Sequence, residues 1–269
     1  GRSRVSVKVR QIEADLLALT QEEINELLRK ECITHLLHLA WIAEHNEYWT
    51  SPLNLRWVDA TVHLVNAFCA AGGKHAVIAG TCAEYDWSYG YCREEITPVS
   101  PSTLYGTAKD ATRRLVTKVC EQREVSCAWG RVFSPFGSGE DSNRLIPSLI
   151  EVFLDRREPY SVNIAAFRDF LHVSDVAAGF VRLLTSETNG EFNISSGIPT
   201  AIREVVTVLA DLLGADPQLI LAMSRERLDQ PALLVGDNQK LKALGWQPNI
   251  KIRQGFQNMV NERLFVERR

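Results

Sequence analysis

Between Gly1 and Gly72 the chain contains no glycine, so no turn of the GxGxxG kind joins a strand to a helix there. Such turns let backbone N–H groups and a helix N-terminus approach a pyrophosphate, and their absence removes the usual sequence sign of dinucleotide binding. No apolar run approaches the roughly 18 residues of a membrane-spanning helix, and the N-terminus carries no apolar signal core. The expected location is cytoplasmic. The six cysteines, Cys32, Cys69, Cys82, Cys92, Cys120 and Cys127, form no CxxC pair and lie mostly in apolar runs, which predicts free thiols and argues against a disulfide framework or a metal site. Lys and Arg are scattered and the formal net charge is −3, without the clustered basic face that nucleic acid requires. Internal repeats and low-complexity segments are absent.

Apolar residues are plentiful, 45% of the chain, enough for a sizeable core. Helical spacing in 21–30 precedes a strand-like run, Ile33 to Ala40, and Leu53 to Ala71 reads as a helix through Val58, Val62, Val65, Ala67 and Cys69. Gly72 and Gly73 end it. A strand at 76–79, a long helix within 102–123 with Leu115, Val116, Val119 and Cys120 inward, and a strand at 126–133 continue the alternation. Strands alternating with helices of this length predict an α/β fold, a doubly wound parallel sheet with helices on both faces. Beyond about Gly137 the alternation loosens, with helices expected at 146–154, 173–185 and 202–213.

Tyr105 and Lys109 in YGTAK stand four residues apart, which places them one turn apart on a single helix face. A phenol of ordinary pKa about 10 is a poor base at neutral pH, and a neighbouring ammonium lowers that value by stabilising the phenolate. Thr81, upstream, supplies a hydroxyl suited to hold a substrate oxygen against it. YxxxK by itself equally describes an amphipathic surface helix.

An ordered series of further motifs resembles the extended short-chain dehydrogenase/reductases that modify nucleotide-activated sugars, the NAD-dependent epimerase/dehydratase family. The series is Ala14-Asp15-Leu16, His35-Leu36-Leu37-His38-Leu39-Ala40, Val77-Ile78-Ala79-Gly80-Thr81 followed by Ala83-Glu84-Tyr85, then YGTAK and Gly130-Arg131-Val132-Phe133. Arg168-Asp169-Phe170-Leu171-His172-Val173 with Asp175, Asn193 to Gly197, and Leu244-Gly245-Trp246-Gln247-Pro248 complete it. The resemblance runs from about Ile12 to Met259. It implies a Rossmann-like dinucleotide-binding unit over 1–136, N-terminally incomplete, and over 137–269 mainly a smaller substrate lobe with some segments returning to the sheet. Ile12 to Leu16 would be the family's third strand, so the strand, glycine turn and helix before it have no counterpart, and we expect an N-terminally truncated sequence.

The resemblance also implies roles. Tyr105 would be the acid/base, Thr81 would polarise the same oxygen, and Lys109 would bind the ribose of NAD or NADP and tune the tyrosine. Asp15 and Leu16 would contact the adenine, and the backbone of Ala40 would line the dinucleotide. Arg168 and Arg227 would hold the diphosphate of the nucleotide sugar with guanidinium groups, and Ser134 would stand in the substrate-binding strand end, where many relatives have asparagine. Asp59 also replaces a common asparagine. Arg2 or Arg4 would favour NADP by pairing with a 2′-phosphate, or simply form a solvated basic terminus. His172 and Asp175 read as structural, the latter as a helix N-cap. The Asp-Glu pair that sugar-nucleotide 4,6-dehydratases carry after the threonine is replaced by Cys82 and Ala83, and Glu84, on a strand, would face the opposite way. This leaves C4 epimerisation or reduction of a 4-keto sugar, or alternatively a non-catalytic binding member of the same fold. Trp41, Tyr48 and Trp49 belong at a pocket mouth or in aromatic core packing. A homodimer through Val62, Val65, Leu115 and Val119 is expected, though the same residues would serve equally to cover the sheet.

Overall fold

The computed structural model describes residues 9–226 and 230–266. In chain order the first half comprises α1 (Gln21–Glu31), β1 (His35–His38), α2 (Leu53–Ala70), β2 (His75–Thr81), β3 (Tyr91–Cys92), α3 (Leu104–Gln122) and β4 (Ser126–Val132). The second half adds β5 (Ser134–Phe136), α4 (Leu145–Phe153), β6 (Phe167–Arg168), β7 (Phe170–His172), α5 (Val173–Ser186) and β8 (Gly190–Ile194). It closes with β9 (Thr200–Ala201), α6 (Ile202–Leu213), α7 (Gln218–Leu221), β10 (Leu233–Gly236), α8 (Gln239–Ala243) and α9 (Ile252–Val266).

The central sheet is parallel, in the order β1-β2-β4-β8. Side chains along β2 alternate between its faces as the pleat requires. Ala76 and Ile78 pack with Val65 and Phe68 of α2 and Val116 and Cys120 of α3. Val77 joins Val176, Phe180 and Leu183 of α5 on the other face. Helices thus cover both faces, the doubly wound arrangement. A second core, built on α4, α6 and α9 around Leu149, Val206 and Phe256, lies apart from that sheet, with the small sheets β3-β10-β6-β9 and β5-β7 beside it. The returning segments of the second half are α5 and β8, which complete the central sheet.

Several local expectations are corrected. The segment around 12–16 is loop, its turn held by the Asp15 carboxylate accepting from Leu17 N–H at 2.9 Å. β1 is shorter than expected and half-buried along most of its length, because it stands at the sheet edge. Leu115 is 48% exposed while Val116 is fully buried, since neighbouring helical positions differ by about 100° around the axis. The N-cap of α5 is His172, whose Nδ1 accepts from Ser174 N–H. The Asp175 carboxylate instead accepts from the Asn249 and Ile250 N–H groups. All six cysteines are free thiols. Among the described residues no helix is long and apolar enough to cross a membrane.

Candidate active site

Thr81 is the last residue of β2 and caps a single 3-10 turn, Cys82–Glu84, its hydroxyl accepting from Ala83 N–H at 3.2 Å. Tyr105 sits in the first turn of α3, whose N-cap Thr103 accepts from Gly106 N–H at 3.1 Å. The two elements touch because residue 106 is glycine. A Cβ there would lie 2.2 Å from the Ala83 carbonyl oxygen, so any side chain must push α3 off the turn that carries Thr81. Gly106→Ala is expected to cost about 1–3 kcal/mol by overpacking and to lower turnover more than it raises KM. Chemical denaturation with steady-state kinetics checks both.

With that approach made, Thr81 and Tyr105 line the same cleft, and the Thr81 hydroxyl is near enough to the phenol to favour its ionised form. Tyr105 keeps some accessible surface at the cleft, but protein closely surrounds the ring. Tyr48 and Trp49 meet it edge to face at centroid distances of 4.9 and 5.7 Å, and Tyr105 N–H donates to the Trp49 carbonyl at 3.2 Å. Burial raises the phenol's pKa, the Thr81 hydroxyl opposes this, and Tyr48, Cys82 and Glu84 add to the rise. The phenol is therefore protonated at neutral pH, the acid of an acid/base pair. Lys109, expected to lower it, is not among the groups that shift the phenol.

Lys109 is 3% exposed. Its Nζ donates to the Ala79 carbonyl at 2.9 Å and lies 3.9 Å from the centre of the Trp41 ring. Burial brings its pKa down to about 7, and the Glu84 carboxylate acts against that fall. His38, at the end of β1, is pushed down to about 4 by burial and by Lys109, and its Nε2 lies 3.0 Å from Thr61 Oγ1. Trp41 is fixed by its indole N–H donating to Asn54 at 2.8 Å and stacks on Trp57.

A cleft of about 590 Å³ opens over these groups, lined by Thr81, Tyr105, Tyr48, Ser134, Arg144 and Arg168 among others. A second cleft of about 420 Å³ adjoins it and shares Tyr48, Ser134, Arg144 and Arg168. Arg168 Nη1 donates to the Phe167 and Pro231 carbonyls, both at 2.8 Å. Arg144 caps the start of α4 and is held by Glu140 at 2.8 Å. Arg144 escaped sequence reasoning because no motif contains it. A larger cleft of about 940 Å³ lies at the opposite, N-terminal ends of β4 and β8, where Arg113, Arg114 and Lys118 are each paired with a carboxylate.

The other expected site residues scatter. Ala40 is half-buried just beyond β1. Asp15 is exposed, and Leu16 packs toward the α1 and α2 core and lines a separate cleft with Arg56 and Asp59. Arg2, Arg4 and Arg227 lie outside the described residues. No group of three or more His, Cys, Asp or Glu side chains is placed to hold a metal among the described residues.

Several proteins with named activities resemble this chain. A UDP-glucose 4-epimerase of Corynebacterium glutamicum is 26% identical, the alignment covering 92% of this chain and 80% of the relative. A GDP-6-deoxy-D-mannose reductase of Pseudomonas aeruginosa is 24% identical over 84% of this chain and 79% of its own. Among solved structures, MoeE5 in complex with UDP-glucuronic acid and NAD superimposes with a TM-score of 0.78 at 27% identity, over 95% of this chain and 86% of that one. The model of the NAD dependent epimerase/dehydratase family matches residues 2–195, and with the parallel sheet and the ordered motifs this places the chain in that family.

Proposed function

We propose that this chain is an NAD(P)-dependent enzyme that epimerises at C4, or reduces a 4-keto group, on a nucleotide-activated sugar. The observation that carries the reading is a single cleft lined by Thr81 and Tyr105 together with Arg144 and Arg168. The reacting half of a nicotinamide dinucleotide fits these residues. Lys109 is a buried ammonium whose Nζ meets one carbonyl and one indole face, and its three donors leave capacity for a ribose diol. Ala40 backbone and, at the adenine end, Asp15 and Leu16 are the remaining contacts in this proposal. A glycine-rich pyrophosphate cradle has no counterpart among the described residues.

When bound, NAD(P) supplies the acceptor or donor of the hydride at the sugar carbon. Thr81 orients the sugar oxygen by hydrogen bonding, and Tyr105 gives its proton to that oxygen in reduction or takes one in oxidation. Lys109 binds the ribose and, only while it keeps its proton, favours the phenolate form. Ser134 contacts the sugar, and Arg168, Arg144 and Arg227 meet the diphosphate with charge that does not titrate away. Elimination of water is disfavoured because no carboxylate lines the cleft over Tyr105 among the described residues. The Cys82 thiol in the first of the two dehydratase positions is pushed up to about 12 by burial.

Incubation with UDP-, GDP- and dTDP-sugars and either cofactor tests the reading. Epimerisation turns over with a trace of NAD, whereas reduction consumes NAD(P)H mole for mole. Arg168→Lys is expected to raise KM about tenfold with turnover little changed, since a point charge replaces a planar fork. Retention of the parental KM would remove Arg168 from the diphosphate site.

A homodimer accompanies this reading, through the outer faces of α2 and α3. Val65 is fully buried and Val62 and Val119 pack toward the sheet, so Leu53, Leu55 and Leu115 are the exposed large apolar residues those helices offer. Light scattering should give twice the chain mass, and a monomer at all concentrations would refute the dimer.

A further inference from the structure

Directly beneath Thr81 lies a pair of charges that the proton-transfer chemistry does not use. Glu84 is 0% and Arg131 1% exposed. The Glu84 carboxylate accepts from Thr81 N–H at 2.8 Å, from the Trp129 indole N–H at 2.9 Å and 3.1 Å, and from Arg131 Nε at 2.7 Å. Gly80 lets β2 pass this cluster, because a Cβ there would lie 2.0 Å from Trp129 Nε1 and 2.7 Å from a Glu84 oxygen. Arg131 Nη1 donates to Tyr85 Oη at 3.1 Å, and that hydroxyl donates to Asn193 Oδ1 at 2.8 Å. Asn193 in turn donates to the Cys92 and Asp237 carbonyls, both at 3.0 Å. A continuous polar chain therefore runs from the backbone of Thr81 through β4 and β8 to β3 and the end of β10.

We propose that Glu84, clamped by Arg131, is a positioning residue of the active site: its anion fixes the Thr81 turn against α3 and balances the ammonium of Lys109. Two geometric facts bind the roles together. The turn that Glu84 closes carries the Ala83 carbonyl, which sits against Gly106 beside Tyr105. A neutral acceptor would satisfy Thr81 and Trp129 equally well but would leave Arg131 buried without its counterion, at a heavy cost. The carboxylate also opposes deprotonation of Lys109. The groups that touch or act on Lys109 are the Ala79 carbonyl of β2, His38 from β1, Glu84 from the turn and the Trp41 ring; Arg131 stands behind Glu84.

The activity arm of this inference rests on the proposed function, and the titration arm does not. The test is the NMR titration of Lys109 in the protein without added cofactor, using 13Cε-lysine and assigning the resonance by its loss in Lys109→Arg. Parent, Glu84→Gln and the charge-neutral double variant Glu84→Gln/Arg131→Gln are compared. The double variant keeps the fold testable, because it removes both charges where the single one strands an arginine. In both variants the midpoint of Lys109 is expected to fall below that of the parent, with about a tenfold larger acid constant. Turnover is expected to fall about 10- to 100-fold through misplacement of Thr81, with KM within about twofold. A purely structural role predicts that the double variant, once folded, recovers both the parental midpoint and the parental turnover, and that result would overturn the proposal. If the parent turns over no nucleotide sugar, the proposed function fails while the midpoints still decide the role of Glu84.

Discussion

Tyr105→Phe is expected to lower turnover by about 10²- to 10⁴-fold, the usual contribution of one positioned general acid/base. The substitution removes a single oxygen. Tyr48 and Trp49 pack on the ring, which phenylalanine keeps, and Tyr105 N–H still reaches the Trp49 carbonyl. Stability and cofactor affinity should therefore stay near the parental values, and loss should fall on kcat. Burial keeps the phenol's pKa above its ordinary value, while Lys109 loses its proton near pH 7. In the free protein the ammonium is thus present below about pH 7 and lost above it, so a phenolate formed above that pH lacks its cation. Steady-state kinetics with stopped-flow measurement of the hydride step is the check. A variant retaining more than a tenth of parental turnover would exclude Tyr105 as the proton donor.

Arg131→Met should cost about 3–5 kcal/mol of stability, the largest single effect expected outside the hydrophobic cores. The guanidinium holds Glu84 at 2.7 Å and Tyr85 at 3.1 Å, and all three side chains are almost completely buried. Removing it strands a carboxylate in the protein interior, where a lone charge is far more costly than a matched pair. Adding Glu84→Gln to Arg131→Met should return much of that loss. Urea unfolding of the two variants measures the recovery, and a single variant as stable as the parent would show that the pair is not buried in solution.

How far this was legible in the sequence differs element by element. The helices at 53–70, 104–122 and 202–213 were readable because an apolar stripe repeats with the helical period, with Thr103 capping the start of the second and Gly72 and Gly214 marking the ends of the first and third. Thr81, Tyr105 and Lys109 stood out as a set because their spacing and order resemble the family's pattern; in the structure Thr81 and Tyr105 line one cleft, while Lys109 lies buried against the Ala79 carbonyl. Glu84 was not legible. The alternation argument that would turn it away from Thr81 holds only on a strand, and the chain leaves the strand at Thr81 for a 3-10 turn that folds the carboxylate back beneath it. Asp175 misled in a similar way, since its partners Asn249 and Ile250 are distant in sequence and no local capping rule finds them. Arg144 gains its place from the approach of α4 to the β5 segment, a tertiary event with no local signature.

The claim on which everything else depends is that a nucleotide-activated sugar exchanges hydride at C4 over Tyr105. It is tested most directly by supplying 4-keto nucleotide sugars with NADH or NADPH deuterated at the transferable position, and UDP-hexoses with a trace of NAD, then reading the products by NMR. Deuterium at C4 of the reduced sugar, or a C4-inverted hexose formed with catalytic cofactor, is the predicted result. Cofactor left unconsumed and every sugar recovered unchanged, from protein verified as full-length and folded, would contradict the account and leave a binding protein built on a dehydrogenase fold.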